Sequence, residues 1–354
     1  MKSLLFISNQ PFSGKSSLCL GVGLLLKEKG YKIGYMKPLG TLPVRVGNVT
    51  IDEDAHYIAK LFDIKENLKD VSPLMLTNDM YVTCLEKCKP DKKYINTIKN
   101  AYQKISAGKD VVLLEGAGTI DSGLCLGIDS REMCNTLPAK AIVVLRYTDE
   151  IVDQVLYYSE FFKDCFGGII INLIPDYKLE HLQNLIIPYL KKRNINVFGA
   201  VAHNKFLSSV SIKEMAKHLD GKILNAYDKI DELVESFMIG AMGPETSLRY
   251  FKTKVNKAVI TGGDRADIQL AALETNTKCL ILTGNFQPST IVSARAEELG
   301  VPMILVKYDT FTTVERLNVI LGHTGFHELK KVDKIVKITK EFIDLNGIIS
   351  IIKS

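Results

Sequence analysis

Leu4-Leu5-Phe6-Ile7-Ser8-Asn9-Gln10-Pro11-Phe12-Ser13-Gly14-Lys15-Ser16-Ser17 is the stretch that decides the fold. A short apolar run with polar residues directly after it predicts a buried strand over Leu4–Ser8. The spacing that follows predicts a helix over Lys15–Lys29, stopped by Gly30. Between the two lies Gly14-Lys15-Ser16, the end of the phosphate-loop pattern; Asn9 stands where that pattern has its first Gly. Each residue type has a physical reason. Gly14 lets the backbone approach phosphate oxygens, and the free N–H groups and dipole of a helix start attract anions. Lys15 adds a mobile positive charge, and Ser16 offers a hydroxyl to Mg²⁺. Phe12–Ser17 is therefore read as a cradle for a nucleoside triphosphate with Mg²⁺.

Outward from this loop the pattern repeats. Lys32–Met36, Val111–Glu115, Ala141–Leu145, Gly168–Asn172 and Val197–Ala200 read as strands. Asp52–Phe62, Lys92–Ala107, Glu150–Phe162 and Leu179–Lys192 read as helices. Continuous apolar strands alternating with helices predict an α/β domain, a parallel sheet with helices on both faces. The polar, serine-rich Asn204–Ser211 marks a boundary. A second, smaller α/β pattern follows. Its strands are Val234–Ile239, Ala258–Thr261, Cys279–Leu282 and Met303–Val306. Its helices are Pro244–Phe251, Ala266–Glu274, Ser289–Leu299 and Thr312–Leu321. The last stretch, Lys331–Ser354, mixes Lys with Ile and Val at roughly helical spacing and is read as a terminal helix, with a strand after it as the alternative. The expected division is 1–205, 206–325 and a helical tail, 326–354.

The bulk numbers narrow the function. The chain has 354 residues, 46% of them hydrophobic and 24% charged, enough for a core in each domain. The net charge is +5, from 45 Lys+Arg against 40 Asp+Glu. The basic residues are scattered, so no nucleic-acid partner is expected. The first apolar run is too short for a signal peptide or a membrane span, which places the protein in the cytoplasm. Seven cysteines without framework spacing read as reduced thiols. Cys84 and Cys88 are four apart, as are His323 and His327, and nothing joins either pair into a metal site.

Three further segments lie where strands end, the edge at which α/β ligands bind. Lys37-Pro38-Leu39-Gly40-Thr41 follows the second strand; Lys37 and Thr41 either meet a phosphate or an acidic substrate, or Lys37 is a solvated loop lysine. Asp52-Glu53-Asp54 opens a helix, where acidic residues also serve as plain caps. Glu115-Gly116-Ala117-Gly118 ends a strand. A buried carboxylate is costly unless it holds a metal or hydrogen bonds, so Glu115 joins Ser16 as a Mg²⁺ candidate. Asn172, at the end of another strand, either reads an adenine edge or caps a turn.

Taken in chain order, these segments resemble dethiobiotin synthetase, whose members have a Gly-Lys-Thr loop at the start, Lys-Pro after strand two, an Asp near the next helix and Glu-Gly-Ala-Gly after a middle strand. The resemblance covers about residues 1–203. It implies a P-loop NTPase-like sheet, a homodimer and ATP with Mg²⁺ as cofactors. Lys15 and Lys37 would hold phosphates as the candidate catalytic pair. Ser13, Gly14, Lys15, Ser16, Ser17, Thr41, Gly116 and Asn172 would line the nucleotide, with Asn172 at the adenine. Ser16, Asp54 and Glu115 would hold the metal. One departure matters: Asn9-Gln10-Pro11-Phe12 replaces the acidic and hydroxyl residues of the synthetases, which argues against dethiobiotin synthesis itself.

Pro11–Ser16 is more similar to the related domain at the N-terminus of some phosphotransacetylases. The second half fits that group. Gly240-Ala241-Met242-Gly243, Thr261-Gly262-Gly263-Asp264-Arg265, Leu282-Thr283-Gly284-Asn285-Phe286 and Asp309-Thr310-Phe311 resemble its DRTGG domain. Thr261–Arg265 is either an anion nest with Arg265 beside it or a tight turn with Asp264 as cap. In that family an acetyl-transferring domain follows, and 354 residues end too soon to hold it. The expectation is a MgATP-binding regulatory protein with a small anionic effector or a protein partner at the DRTGG domain. The alternative is an ATP-dependent ligase of dethiobiotin synthetase or cobyrinate amide synthase type.

Overall fold

A computed structural model describes residues 3–322 and 329–353, the side chains of 318–322 excepted. His323 and His327 lie outside the described residues. The chain forms two compact units, Met1–His203 with Gly325–Ser354, and Asn204–Thr324. The second unit is thus inserted into the first.

In the first unit β1 (Ser3–Ser8) leads through the loop into α1 (Lys15–Glu28), which returns to β2 (Ile33–Met36). A hairpin, β3 (Pro43–Val46) and β4 (Val49–Asp52), precedes α2 (Glu53–Leu61). After α3 (Lys92–Ser106) come β5 (Val111–Glu115), β6 (Ala139–Arg146), α4 (Ile151–Phe162), β7 (Phe166–Ile174) and β8 (Val197–Ala202), with shorter helices between. Six strands pair in the order β8-β7-β6-β1-β5-β2, all parallel. Every residue of β1 and β5 is buried, because helices cover both faces. The register sets Phe6 opposite Glu115 and Met36 opposite Leu114. It brings the loop after β1, the end of β5 and the residue after β2 to one edge. The expected helix Leu179–Lys192 is not uniform. Leu182–Ile186 winds as a π-helix before Ile187–Lys192. Pro188 has no N–H to continue the α-pattern.

The second unit holds α5 (Ile212–His218), β9 (Ser236–Ile239), α6 (Pro244–Phe251), β10 (Lys257–Gly262), α7 (Ala266–Leu273), β11 (Thr277–Thr283), α8 (Thr290–Leu299), β12 (Met303–Leu305) and α9 (Thr310–Gly322). Strands β12-β11-β10-β9 pair in parallel, and Lys222–Ile223 adds an antiparallel edge to β12. Alternate strand residues feed two cores. Ala258, Ile260 and Ile281 meet Ile212, Met215 and Leu219 on one face. Val259, Leu280 and Leu282 meet Phe251, Ile268 and Val292 on the other.

The C-terminal stretch forms two helices, α10 (Leu329–Phe342) and α11 (Leu345–Lys353), with a second helix in place of the alternative strand. Asp344 stops the first and caps the second, accepting from Gly347 N at 2.9 Å. Helix α10 lies directly on α1. A Cβ at Gly21 would stand 2.1 Å from Thr339 Oγ1, so only glycine permits this approach.

Candidate nucleotide site

The site grows from the turn between β1 and α1. Phe12 (φ 59°) and Gly14 (φ 85°) take left-handed backbone. Gly14 occupies the N-cap position of α1, and no side chain caps the helix. The N–H groups of its first turn, Ser17 included, therefore have no helical acceptor and are left for water or an anion. Asn172 of β7 props the turn from beneath, its Nδ2 donating to Ser13 O at 2.8 Å. A Cβ at Gly14 would lie 2.2 Å from that same Nδ2. Ser13 Oγ is buried and has no hydrogen-bond partner among the described residues, a hydroxyl kept beside the cradle. Asn9, at the position where the pattern has Gly, is used locally, with Nδ2 donating to Gln154 Oε1 at 3.2 Å.

Glu115 is the hub. It is fully buried at the end of β5. Its Oε1 accepts from Ser16 Oγ at 2.7 Å and lies 3.5 Å from Lys15 Nζ and 3.3 Å from Lys37 Nζ. Its Oε2 accepts from Tyr35 Oη at 2.9 Å. Two hydroxyl donors and two ammonium groups thus compensate a carboxylate that water does not reach. Burial, then the nearby Glu115 carboxylate, pushes the Tyr35 hydroxyl well above the ordinary tyrosine range. The Cys19 thiol rises well above its ordinary range for the same two reasons in the same order. Both groups stay protonated, and Tyr35 stays a donor.

Lys37 sits among three carboxylates. Its Nζ is 2.7 Å from Asp52 Oδ1, 3.3 Å from Glu115 Oε1 and 3.5 Å from Asp54 Oδ2. Burial pulls its pKa down, but Glu115, Asp54 and Asp52 outweigh burial and hold it above the ordinary lysine value. Asp52 fixes the surroundings. Its Oδ2 accepts from Thr41 N at 2.8 Å and Leu42 N at 3.0 Å, and its Oδ1 caps α2 through Ala55 N at 3.2 Å. The loop after β2, the hairpin and the start of α2 are tied together by this one side chain.

The structure therefore brings Lys15, Ser16, Lys37, Asp54 and Glu115 together around the loop. Thr41 contributes a backbone N–H to Asp52, and the Gly116 N–H is spent on Phe6 O at 2.8 Å. Asn172 binds the loop's own backbone. Reading the sequence missed Tyr35, and weighed Asp52 only as a helix cap. Tyr35 carried no signal beyond a strand position. Asp52 carried one, the alternation of Pro43–Asp52 around Gly47-Asn48, a hairpin pattern that delivers Asp52 to the buried edge. The arrangement sets two ammonium groups and a shell of hard oxygen atoms beside an uncapped helix start. Ser16, Asp54 and Glu115 are the donors that suit Mg²⁺.

Family comparison agrees with this geometry. The AAA domain family matches residues 2–211. This chain belongs to that family. The DRTGG domain family matches residues 214–320, so a dethiobiotin-synthetase-like AAA domain unit is joined to a DRTGG unit. The AAA domain unit is similar to the ATP-dependent dethiobiotin synthetase of Caldicellulosiruptor saccharolyticus, at 27% identity over 229 residues, covering 59% of this chain and 89% of that protein. All of the chain (100%) aligns with the phosphate acetyltransferase of Synechocystis sp., 22% identical over 372 residues and covering 52% of that protein. The chain thus spans about half the length of the acetyltransferase it matches. A solved structure of the CBS and DRTGG domains of the regulatory region of Clostridium perfringens pyrophosphatase, complexed with the activator diadenosine tetraphosphate, shares 19% identity and covers 38% of this chain and 67% of that one. At a TM-score of 0.28 that likeness carries no argument.

In the DRTGG unit the matching edge is built differently. Arg265 N donates to Gly262 O at 3.1 Å in a tight turn, and Arg265 takes the N-cap position of α7 with no side-chain cap. Its Nε and Nη2 fork onto Asp267, each at 3.0 Å. Gln269 Nε2 ties the turn from below, donating to Gly262 O at 2.7 Å and Gly263 O at 3.0 Å. No helix among the described residues is long and apolar enough to cross a membrane.

Proposed function

We propose that this chain is a regulatory protein whose first unit binds MgATP and whose DRTGG unit takes a small anionic effector. The observation that carries the reading is the convergence of Lys15, Ser16 and Lys37 on buried Glu115 beside an uncapped, glycine-turned helix start. Lys15 and the first-turn N–H groups hold the phosphates; Ser13 Oγ adds a donor. Ser16, Asp54 and Glu115 hold Mg²⁺, which would draw charge from the phosphate oxygens. Lys37 stays charged beside the loop and would hold a phosphate. The family relatives support ATP as the nucleotide, since the similar synthetase is ATP-dependent by name.

A second reading, an ATP-dependent ligase, is favoured by Lys37. An ammonium held by Asp52 and Asp54 next to the phosphate loop suits a carboxylate or carbamate awaiting activation. Calorimetric titration of MgATP into the wild type and Lys15→Ala tests the common core. Affinity in the variant should fall about 10- to 100-fold, the value of one hydrogen bond to a charged group. Equal affinity in both proteins, or no binding by a folded wild type, would remove the reading.

A further inference from the structure

Tyr35 stands inside β2 and is fully buried. The parallel register sets it opposite Leu113, two residues before Glu115 in β5. Its ring packs edge-on against Phe62, with centroids 5.7 Å apart and planes at 80°. Such packing fixes where the hydroxyl ends. A buried tyrosine hydroxyl needs a partner, and a backbone carbonyl would serve. Here Oη donates at 2.9 Å to Glu115, the carboxylate that also meets Ser16, Lys15 and Lys37.

The two oxygens of Glu115 therefore face different groups. Oε1 accepts from Ser16 Oγ at 2.7 Å and lies beside both ammonium groups. Oε2 is held by Tyr35. Mg²⁺ demands a near-ideal octahedron with metal–oxygen distances of about 2.0–2.1 Å, so neighbouring oxygens around it stand about 2.9 Å apart. Ser16 Oγ and Glu115 Oε1, 2.7 Å apart, nearly span one such edge. The two oxygens of a single carboxylate stand closer together than that edge. They suit the larger Ca²⁺, which takes carboxylates through one or both oxygens at about 2.3–2.6 Å.

We propose that Tyr35 is a positioning residue that sets the cation preference of the site: by holding Oε2 it limits Glu115 to one oxygen, Oε1, and so favours Mg²⁺ over Ca²⁺. The proposal rests on the reading that Ser16, Asp54 and Glu115 hold the metal. Without the hydroxyl, the carboxylate is free to turn and offer both oxygens, an arrangement that the small octahedron of Mg²⁺ tolerates less well than the flexible shell of Ca²⁺.

The test is calorimetry on the full chain, measuring ATP affinity in EDTA, in Mg²⁺ and in Ca²⁺ for the wild type and Tyr35→Phe. Each protein's metal-free value is its own reference. In the wild type Mg²⁺ should strengthen ATP binding more than Ca²⁺ does. In Tyr35→Phe the strengthening by Mg²⁺ should fall about 10- to 100-fold, the usual effect of losing a group that orients a metal ligand, while that by Ca²⁺ holds or rises. A merely structural role would weaken both alike and leave their ratio unmoved. Phe62→Leu loosens the ring but keeps the hydroxyl, and it should keep the wild-type ratio. A wild type without a Mg²⁺ preference, an unchanged ratio in folded Tyr35→Phe, or a ratio lost equally in Phe62→Leu would overturn the proposal. Wild-type ATP binding that neither cation strengthens would instead remove the metal reading itself, and the proposal with it.

Discussion

Each unit buries one lysine at an end of its parallel sheet, and the two have opposite fates. Lys37 follows β2 at the edge of the phosphate loop and meets Asp52, Asp54 and Glu115. Lys257 begins β10 at the other edge of its sheet. It donates to Thr275 Oγ1 at 2.9 Å and Asn276 O at 2.8 Å, and no carboxylate lies within ion-pair distance of it among the described residues. Burial alone lowers Lys257 to a pKa of about 8. At Lys37 burial acts in the same direction, but the carboxylates reverse it. Desolvation is the common cost, and partners decide whether the charge survives. The Lys37 charge is held by carboxylates beside the glycine turn; the Lys257 charge is held by two neutral oxygens and anchors a turn.

Three substitutions sharpen or break this contrast. The largest effect is expected from Lys37→Met. It leaves Asp52 and Glu115 buried without their ammonium partner, so stability should fall by about 3 kcal/mol or more. Thermal denaturation reads this, and an unchanged midpoint would mean that Lys15 alone balances the cluster. Next is Gly14→Ala. The left-handed backbone costs a side-chain residue about 1–2 kcal/mol, and the new Cβ would have to displace the Asn172 amide. MgATP affinity should drop about tenfold by calorimetry, roughly that penalty converted to binding; full affinity would show that the turn is not the cradle.

The smallest effect is expected from Lys257→Met. Replacing a buried, unpaired ammonium with an apolar side chain of similar length should shift stability by no more than about 1 kcal/mol near neutrality. The diagnostic is pH. The folded-state pKa lies below the unfolded one, so between about pH 8 and the ordinary lysine value near 10.4 the unfolded chain binds more protons. Wild-type stability should therefore gain a rising component across that window, fully penalised below it and relieved above it. Denaturation midpoints measured across the window should lose that component in the variant. An identical slope in both proteins would place the titration elsewhere.

Much of the first unit was legible in the chain. Continuous apolar strands and the Gly14-Lys15-Ser16 turn announced a parallel sheet with a phosphate loop, because periodicity and turn chemistry are local. Lys37, Asp54 and Glu115 were singled out because each lies at the end or the start of a recognisable element, and the structure draws the three together. Tyr35 was not, and Asp52 was read only as a cap, since their roles come from side-chain contacts distant in the chain: Tyr35 Oη reaches a carboxylate 80 positions away, and Asp52 ties Lys37 across 15. Asn172 showed its strand-end position but not that its amide holds Ser13, 159 positions earlier. Arg265 stood in a motif, and only the folded turn revealed that Asp267 already occupies its fork.

The sequence by itself determined two α/β patterns, the glycine turn between β1 and α1 and the residue types around it, all written in short-range spacing. Tertiary structure alone decided that the second unit interrupts the first, that α10 and α11 return to pack with the first, and which lysine has its pKa raised and which lowered. Those outcomes depend on long-range register and on burial of charge, where the energy of a group is set by neighbours distant in the chain.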